Sequence, residues 1–103
     1  MIKVSVVYPN NPDTHFDFEY YLGTHVPLVG SLLAPAGLRR AEVDRGLGGM
    51  PGEPAPFHAM AHLHFDTVEA FTAAFGPHAA TILGDIPNYT NAAPSIQISE
   101  IVG

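Results

Sequence analysis

Alternation dominates the start of the chain. In IKVSVVY (Ile2–Tyr8), Ile2, Val4, Val6 and Tyr8 fall on one side and Lys3, Ser5 and Val7 on the other. That two-residue period predicts a first strand. PNNPD then turns the chain. Thr14 or Asp13 can cap a helix that runs to about Thr24. FHAMAHLHF (Phe57–Phe65) alternates strictly. Its aromatic and aliphatic residues take one face; His58, Met60, His62 and His64 take the other. Asp66, followed three residues on by Glu69, matches a capping box. Val68, Phe71 and Phe75 give the helix behind it an apolar stripe. SIQISEIV (Ser95–Val102) predicts a last strand, and Leu38–Leu47 a weaker one with charges on both faces.

The connections are legible too. GGMPGEPAP (Gly48–Pro56) predicts a long hairpin loop, because neither flank could fold alone. Gly76–Pro77 interrupts the later helix, with a second helical piece over His78–Leu83, and GDIPNYTNAAP is expected to be loop. Within FDFEYYLGTHVPLVGSLL, Pro27 is the interruption. Its ring opposes the carbonyl of Gly23 and disfavours a helical Val26. A kink or short gap at Thr24–Val26 is expected, with a new helical piece from Pro27 to about Leu33.

The element order is β-α-β-β-α-β over one domain, residues 1–103. That order predicts an α+β, ferredoxin-like fold, an antiparallel sheet with two helices on one face. The other sheet face then has no cover. A second copy packed sheet to sheet would supply one, so a homodimer is expected, with the face bearing His58, His62 and His64 toward the partner.

Composition narrows the function. Hydrophobic residues make up 47% of the chain, which is globular. Ten acids against four bases give a net charge of -6. That balance argues against nucleic acid and against an anionic membrane surface. There is no cysteine, so disulfides, thiolate nucleophiles and cysteine-ligated metals are excluded. MIKVSVVYPN lacks the apolar run of a signal peptide, and no stretch approaches a membrane span. A cytoplasmic location is expected.

Three constellations could carry chemistry. On the interrupted helix, Phe16 and Tyr20 are four apart, as are Asp17, Tyr21 and His25. A carboxylate, a phenol and an imidazole would then line up, and His25 could act as acid or base near neutral pH. The plainer alternative is that His25 only caps the broken helix while the tyrosines pack as core. On the third strand, His62 and His64 project to one side about 7 Å apart, a spacing that can chelate a metal with His58 or another group as third ligand. Polar filling between two sheets is favoured over that, and no metal is assigned. In GDIPNYTN (Gly84–Asn91), Asp85, Tyr89 and the two amides Asn88 and Asn91 could form a pocket rim or a turn held by side-chain hydrogen bonds.

FDFEYYLGTHVPLV, HLHFDTVEAFTAAF and GDIPNYTNAAPSIQISEI together resemble the EthD family across nearly the whole chain. Phe16, Asp17, Tyr20, Tyr21, His25, Pro27 and Leu28 match its helix motif. Asp85–Asn91 match its late loop. The resemblance implies a dimeric α+β barrel, in which two ferredoxin-like subunits pack their sheets together. It also implies a small-molecule cleft between helices and sheet. Relatives in that superfamily include cofactor-free monooxygenases, isomerases, lyases and cyclases acting on small aromatic or polyketide-derived molecules. The expectation is therefore acid/base chemistry without a cofactor, with His25, Tyr21 and Asp85 catalytic and Tyr20, Tyr89, Asn91 and Leu28 binding substrate. A non-catalytic carrier or accessory subunit is the alternative. A metal-dependent enzyme using the strand histidines is a further one.

Overall fold

The computed structural model describes Met1–Gly103. Four strands, β1 (Ile2–Pro9), β2 (Arg40–Arg45), β3 (Phe57–Phe65) and β4 (Ser95–Glu100), form one antiparallel sheet in the order β2-β3-β1-β4. The split βαββαβ pattern puts β1 and β3 at the centre. Register aligns the apolar positions across strands. Val4 lies opposite Leu63 and Ile98, and Val6 opposite Ala61 and Ile96. That face receives the helices and the buried cluster of Ile2, Val4, Leu33, Leu63, Phe65, Ala74 and Ile82. A second buried cluster holds Tyr8, Tyr21, Ala59, Tyr89 and Ala92.

The first helical run starts later than expected. Asp17, not Thr14 or Asp13, is its cap and accepts a hydrogen bond from the Tyr20 amide at 3.1 Å. The cause lies upstream, where Phe16 bridges to Thr90 and the Asp17 amide donates to the Tyr89 carbonyl at 2.7 Å. Those pairings keep the chain extended as far as Asp17.

Pro27 does not break the run. A short helix α1 (Phe18–Tyr20) passes into a π-helical turn (Tyr21–His25) and then into α2 (Val26–Leu33). Val26 is helical, with φ -60° and ψ -46°, and its amide donates to the Tyr21 carbonyl, five residues back. The expected gap is absent because the wide turn takes up one extra residue ahead of Pro27. The carbonyl that the ring would strike in a regular helix is no longer in the regular position. Pro27 itself lies in the first turn of α2, where an amide hydrogen is not needed.

The second helical layer is α3 (Val68–Phe75) and α4 (Ala79–Asp85), joined by a 3₁₀ turn (Gly76–His78). Thr67 caps α3 by accepting from the Ala70 amide. Asp66, expected in that role, is instead held by two hydrogen bonds from Arg39, at 3.2 and 2.7 Å. Gly84 and Asp85, expected in a loop, end α4, and a 3₁₀ turn (Ile86–Asn88) follows. Pro87 is tolerated there because it sits in the first positions of that turn.

The sheet's opposite face carries no helix. It presents Lys3, Ser5, Val7, Glu42, Asp44, Met60, His62 and His64, following the register of the three strands. His62 bonds Ser5 at 2.8 Å and approaches Asp44 at 3.3 Å; His64 lies 3.5 Å from Glu42. His58 does not join them. The register shifts beside Tyr8 and Pro9, and His58 stacks on Phe16 and bonds Thr14 at 2.8 Å. No group of three or more His, Asp or Glu side chains converges as metal ligands would. No helix is long and apolar enough to cross a membrane.

Candidate functional site

Between the helices and the sheet lies a cavity of about 150 Å³, and eighteen of its twenty-one lining residues are hydrophobic. Two of its lining residues, Ile96 on the edge strand β4 and Leu83 on α4, are 50% and 44% exposed. Its polar groups are few. His25, Tyr8 and Tyr21 bring the only imidazole and phenols to the wall.

His25 is fixed by Asp85. Its Nδ1 lies 2.9 Å from Asp85 Oδ2, although the residue is only 5% exposed. Facing a carboxylate, Nδ1 carries the hydrogen and donates it. In the neutral ring Nε2 is then the nitrogen with the free lone pair. It has no hydrogen-bond partner in the chain, and the residue lines the cavity. The ring is clamped between Tyr21, stacked at 5.7 Å between centroids, and Tyr89 at 4.6 Å.

Asp85 gathers more than the imidazole. The Tyr20 hydroxyl donates to Oδ1 at 2.6 Å, and the Asn88 amide donates to the same oxygen at 3.0 Å. Partial burial pushes the carboxyl upward. Hydrogen bonds from Tyr20, Asn88 and His25 outweigh that and hold it below its ordinary value near 3.8. The same bond to Asp85 raises the Tyr20 phenol. Asp85 is therefore an ionised carboxylate at neutral pH, suited to hold an imidazole in one tautomer and to stabilise its protonated form.

The phenols form a separate network. Tyr8 and Tyr89 share a hydrogen bond of 2.7 Å between hydroxyls. Burial raises the pKa of Tyr8, Tyr21 and Tyr89 alike, so all three stay protonated.

The structure thus brings together His25, Tyr20, Tyr21, Asp85 and Tyr89, but in unequal positions. His25 and Tyr21 line the cavity. Asp85, Tyr20 and Tyr89 stand behind them and are not on its wall. Asp17, expected beside Tyr21 and His25, caps α1 instead. Leu28 is half-buried on α2 away from the cavity. Asn91 ties the late loop to the β1–α1 connection, accepting from the His15 amide and donating to the Asp13 carbonyl. One site residue, Tyr8, was not singled out in the sequence. Tyr8 ends the buried face of β1, and its signal was a polar-tipped aromatic closing an apolar alternation.

A family model for the EthD domain matches residues 13–93. No curated protein matches the chain. Among solved structures, an EthD-like protein from Ralstonia eutropha is 45% identical, with 99% of this chain and 92% of that one covered and a TM-score of 0.91. An ethyl tert-butyl ether D family protein from Bacillus halodurans is similar in fold at 24% identity, with 99% of each chain covered and a TM-score of 0.68. A dimeric protein of unknown function with a ferredoxin-like fold, from Bacteroides fragilis, shares the fold at 14% identity, with 97% and 95% covered and a TM-score of 0.61. The matched residues include the helix with His25 and the loop with Asp85, and the chain belongs to the EthD domain family.

Proposed function

We propose that the protein binds a small, largely apolar molecule between helices and sheet and moves one proton on it, with His25 as the acid/base. The observation that carries this reading is the His25–Asp85 pair at the wall of an otherwise apolar cavity. With Nδ1 committed to Asp85, Nε2 accepts a proton from an acidic C–H or O–H of the bound molecule. The imidazolium that results lies against a carboxylate kept ionised by Tyr20 and Asn88. Return of that proton to another atom completes an isomerisation, and its delivery to a leaving group an elimination. The chain's own groups suffice for these steps. Tyr21 holds the ring by stacking. Tyr20 and Asn88 act through Asp85 as positioning residues.

The working unit in this reading is a homodimer that closes into an α+β barrel. The uncovered sheet face supports it, since Val7 and Met60 lie there opposite one another.

The test uses β-tetralone, a neutral bicyclic ketone with acidic C–H bonds. Wild type in deuterium oxide should speed deuterium uptake beside the carbonyl. A His25→Gln variant should bind the ketone without doing so. Binding with no uptake by wild type would leave a carrier and remove the acid/base role.

A further inference from the structure

We infer that the ligand of this cavity is uncharged and places one carbonyl-type oxygen on the Tyr8 hydroxyl, an inference that rests on reading the cavity as a small-molecule site. Two independent features lead to it. The first is the placement of the basic residues. The chain has four Lys and Arg. Lys3 lies on the sheet face away from the helices, opposite His64. Arg39 is held by Asp66 and Arg40 by Glu42. The Arg45 guanidinium lies 4.4 Å over the Phe18 ring. None of them lines the cavity. A carboxylate or phosphate there would lose its hydration with no Lys or Arg to offset it, and the charge of a protonated His25 is already balanced by Asp85 behind the wall.

The second feature is the direction of the Tyr8–Tyr89 hydrogen bond. Tyr89 is 1% exposed and off the cavity wall, and Tyr8 is its hydroxyl's hydrogen-bond partner. If Tyr89 accepted that bond, its own proton would be buried without an acceptor. Tyr89 therefore donates to Tyr8. The Tyr8 proton is then free, and Tyr8 lines the cavity. Burial also raises the Tyr8 phenol, so it keeps its proton. Tyr8 is thus a hydrogen-bond donor prepared by Tyr89, on the same wall as His25. An acceptor oxygen on a ligand satisfies it; a pure hydrocarbon leaves it unpaired.

Calorimetric titration with three probes tests this: β-tetralone, the hydrocarbon tetralin, and the anion β-naphthoate. Tyr8→Phe should weaken β-tetralone by about three- to tenfold, the range for one neutral hydrogen bond. Tetralin should be unaffected, which also reports that the cavity is intact. Tyr89→Phe should weaken the ketone by less, because Tyr8 keeps its proton and loses only its donor. In wild type β-naphthoate should bind at least about tenfold more weakly than β-tetralone. If Tyr8→Phe loses tetralin as well, the ketone-to-hydrocarbon ratio in Tyr89→Phe decides. An unchanged ratio, or β-naphthoate binding as tightly as the ketone, overturns the inference. Failure of both neutral probes to bind wild type overturns it together with the cavity reading. Ketone binding that depends on Tyr8 without deuterium uptake supports the inference and removes only the acid/base reading.

Discussion

Tyr20 and His25 stand five residues apart and reach the two oxygens of one carboxylate, that of Asp85. In a regular α-helix, residues five apart diverge around the axis. The π-helical turn over Tyr21–His25 brings them to one side. The unusual turn before Pro27 is therefore tied to the site through its geometry. It accommodates the proline and lets one acid hold both the imidazole and the phenol.

Asp85→Asn should preserve the fold and the cavity but not the tautomer. An Asn amide can present its hydrogen to Nδ1, which would leave the hydrogen on Nε2 and block it as a base. Deuterium uptake by β-tetralone should fall by roughly 10²–10⁴-fold. Tetralin affinity, measured by calorimetry, should not change. A variant as active as wild type would separate Asp85 from the chemistry.

Tyr20→Phe removes one of the donors that lower the Asp85 carboxyl. The Asp85 pKa should rise toward its ordinary range, while His25 keeps its bond. Carbon NMR of the carboxyl, followed through an acid titration, reads this directly. A midpoint that stays put or moves down would contradict the network.

Acid stability follows from the same lowered carboxyl. A carboxyl that ionises more readily in the folded chain contributes stability that is fully present above its ordinary value, near 3.8, and lost as pH falls through the lower folded value. Glu42 and Asp66 are lowered in the same direction by Arg40 and Arg39, but they are exposed ion pairs of little worth. Urea unfolding at about pH 6 and about pH 2.5 should show a smaller acid loss in Asp85→Asn than in wild type. Equal losses would place the acid sensitivity elsewhere.

Val7→Asp puts a charge on the uncovered sheet face, opposite Met60. A buried, unpaired carboxylate between two sheets is strongly unfavourable. Native mass spectrometry should show wild type as a dimer and the variant shifted to monomer with its helical content intact. A wild-type monomer at micromolar concentration would contradict the barrel.

Periodicity made much of this fold legible. The alternation of Ile2–Tyr8 and of Phe57–Phe65 predicted β1 and β3 almost to the residue, because each buries one face. Helix starts were harder. Asp66 looked like a cap until Arg39, distant in sequence, claimed it, and Thr67 took the role. Asp17 became a cap only because Phe16 pairs with Thr90. The strict face of His58, Met60, His62 and His64 lost His58 to a local register shift that no alternation reveals. Within the site, His25, Tyr20 and Tyr21 stood out on one helix. Their link to Asp85 crosses most of the chain and came from resemblance, and the 2.7 Å bond between Tyr8 and Tyr89 had no sequence signal.

The central claim is that His25 Nε2, with Nδ1 held by Asp85, moves a proton on a neutral molecule in the cavity. The most direct measurement is the rate of deuterium uptake by β-tetralone in deuterium oxide with wild type and with His25→Gln, both checked for ketone binding. The claim predicts uptake above the buffer rate for wild type, and a loss of about 10²–10⁴-fold in the variant with binding retained. Equal uptake by the two proteins would contradict it.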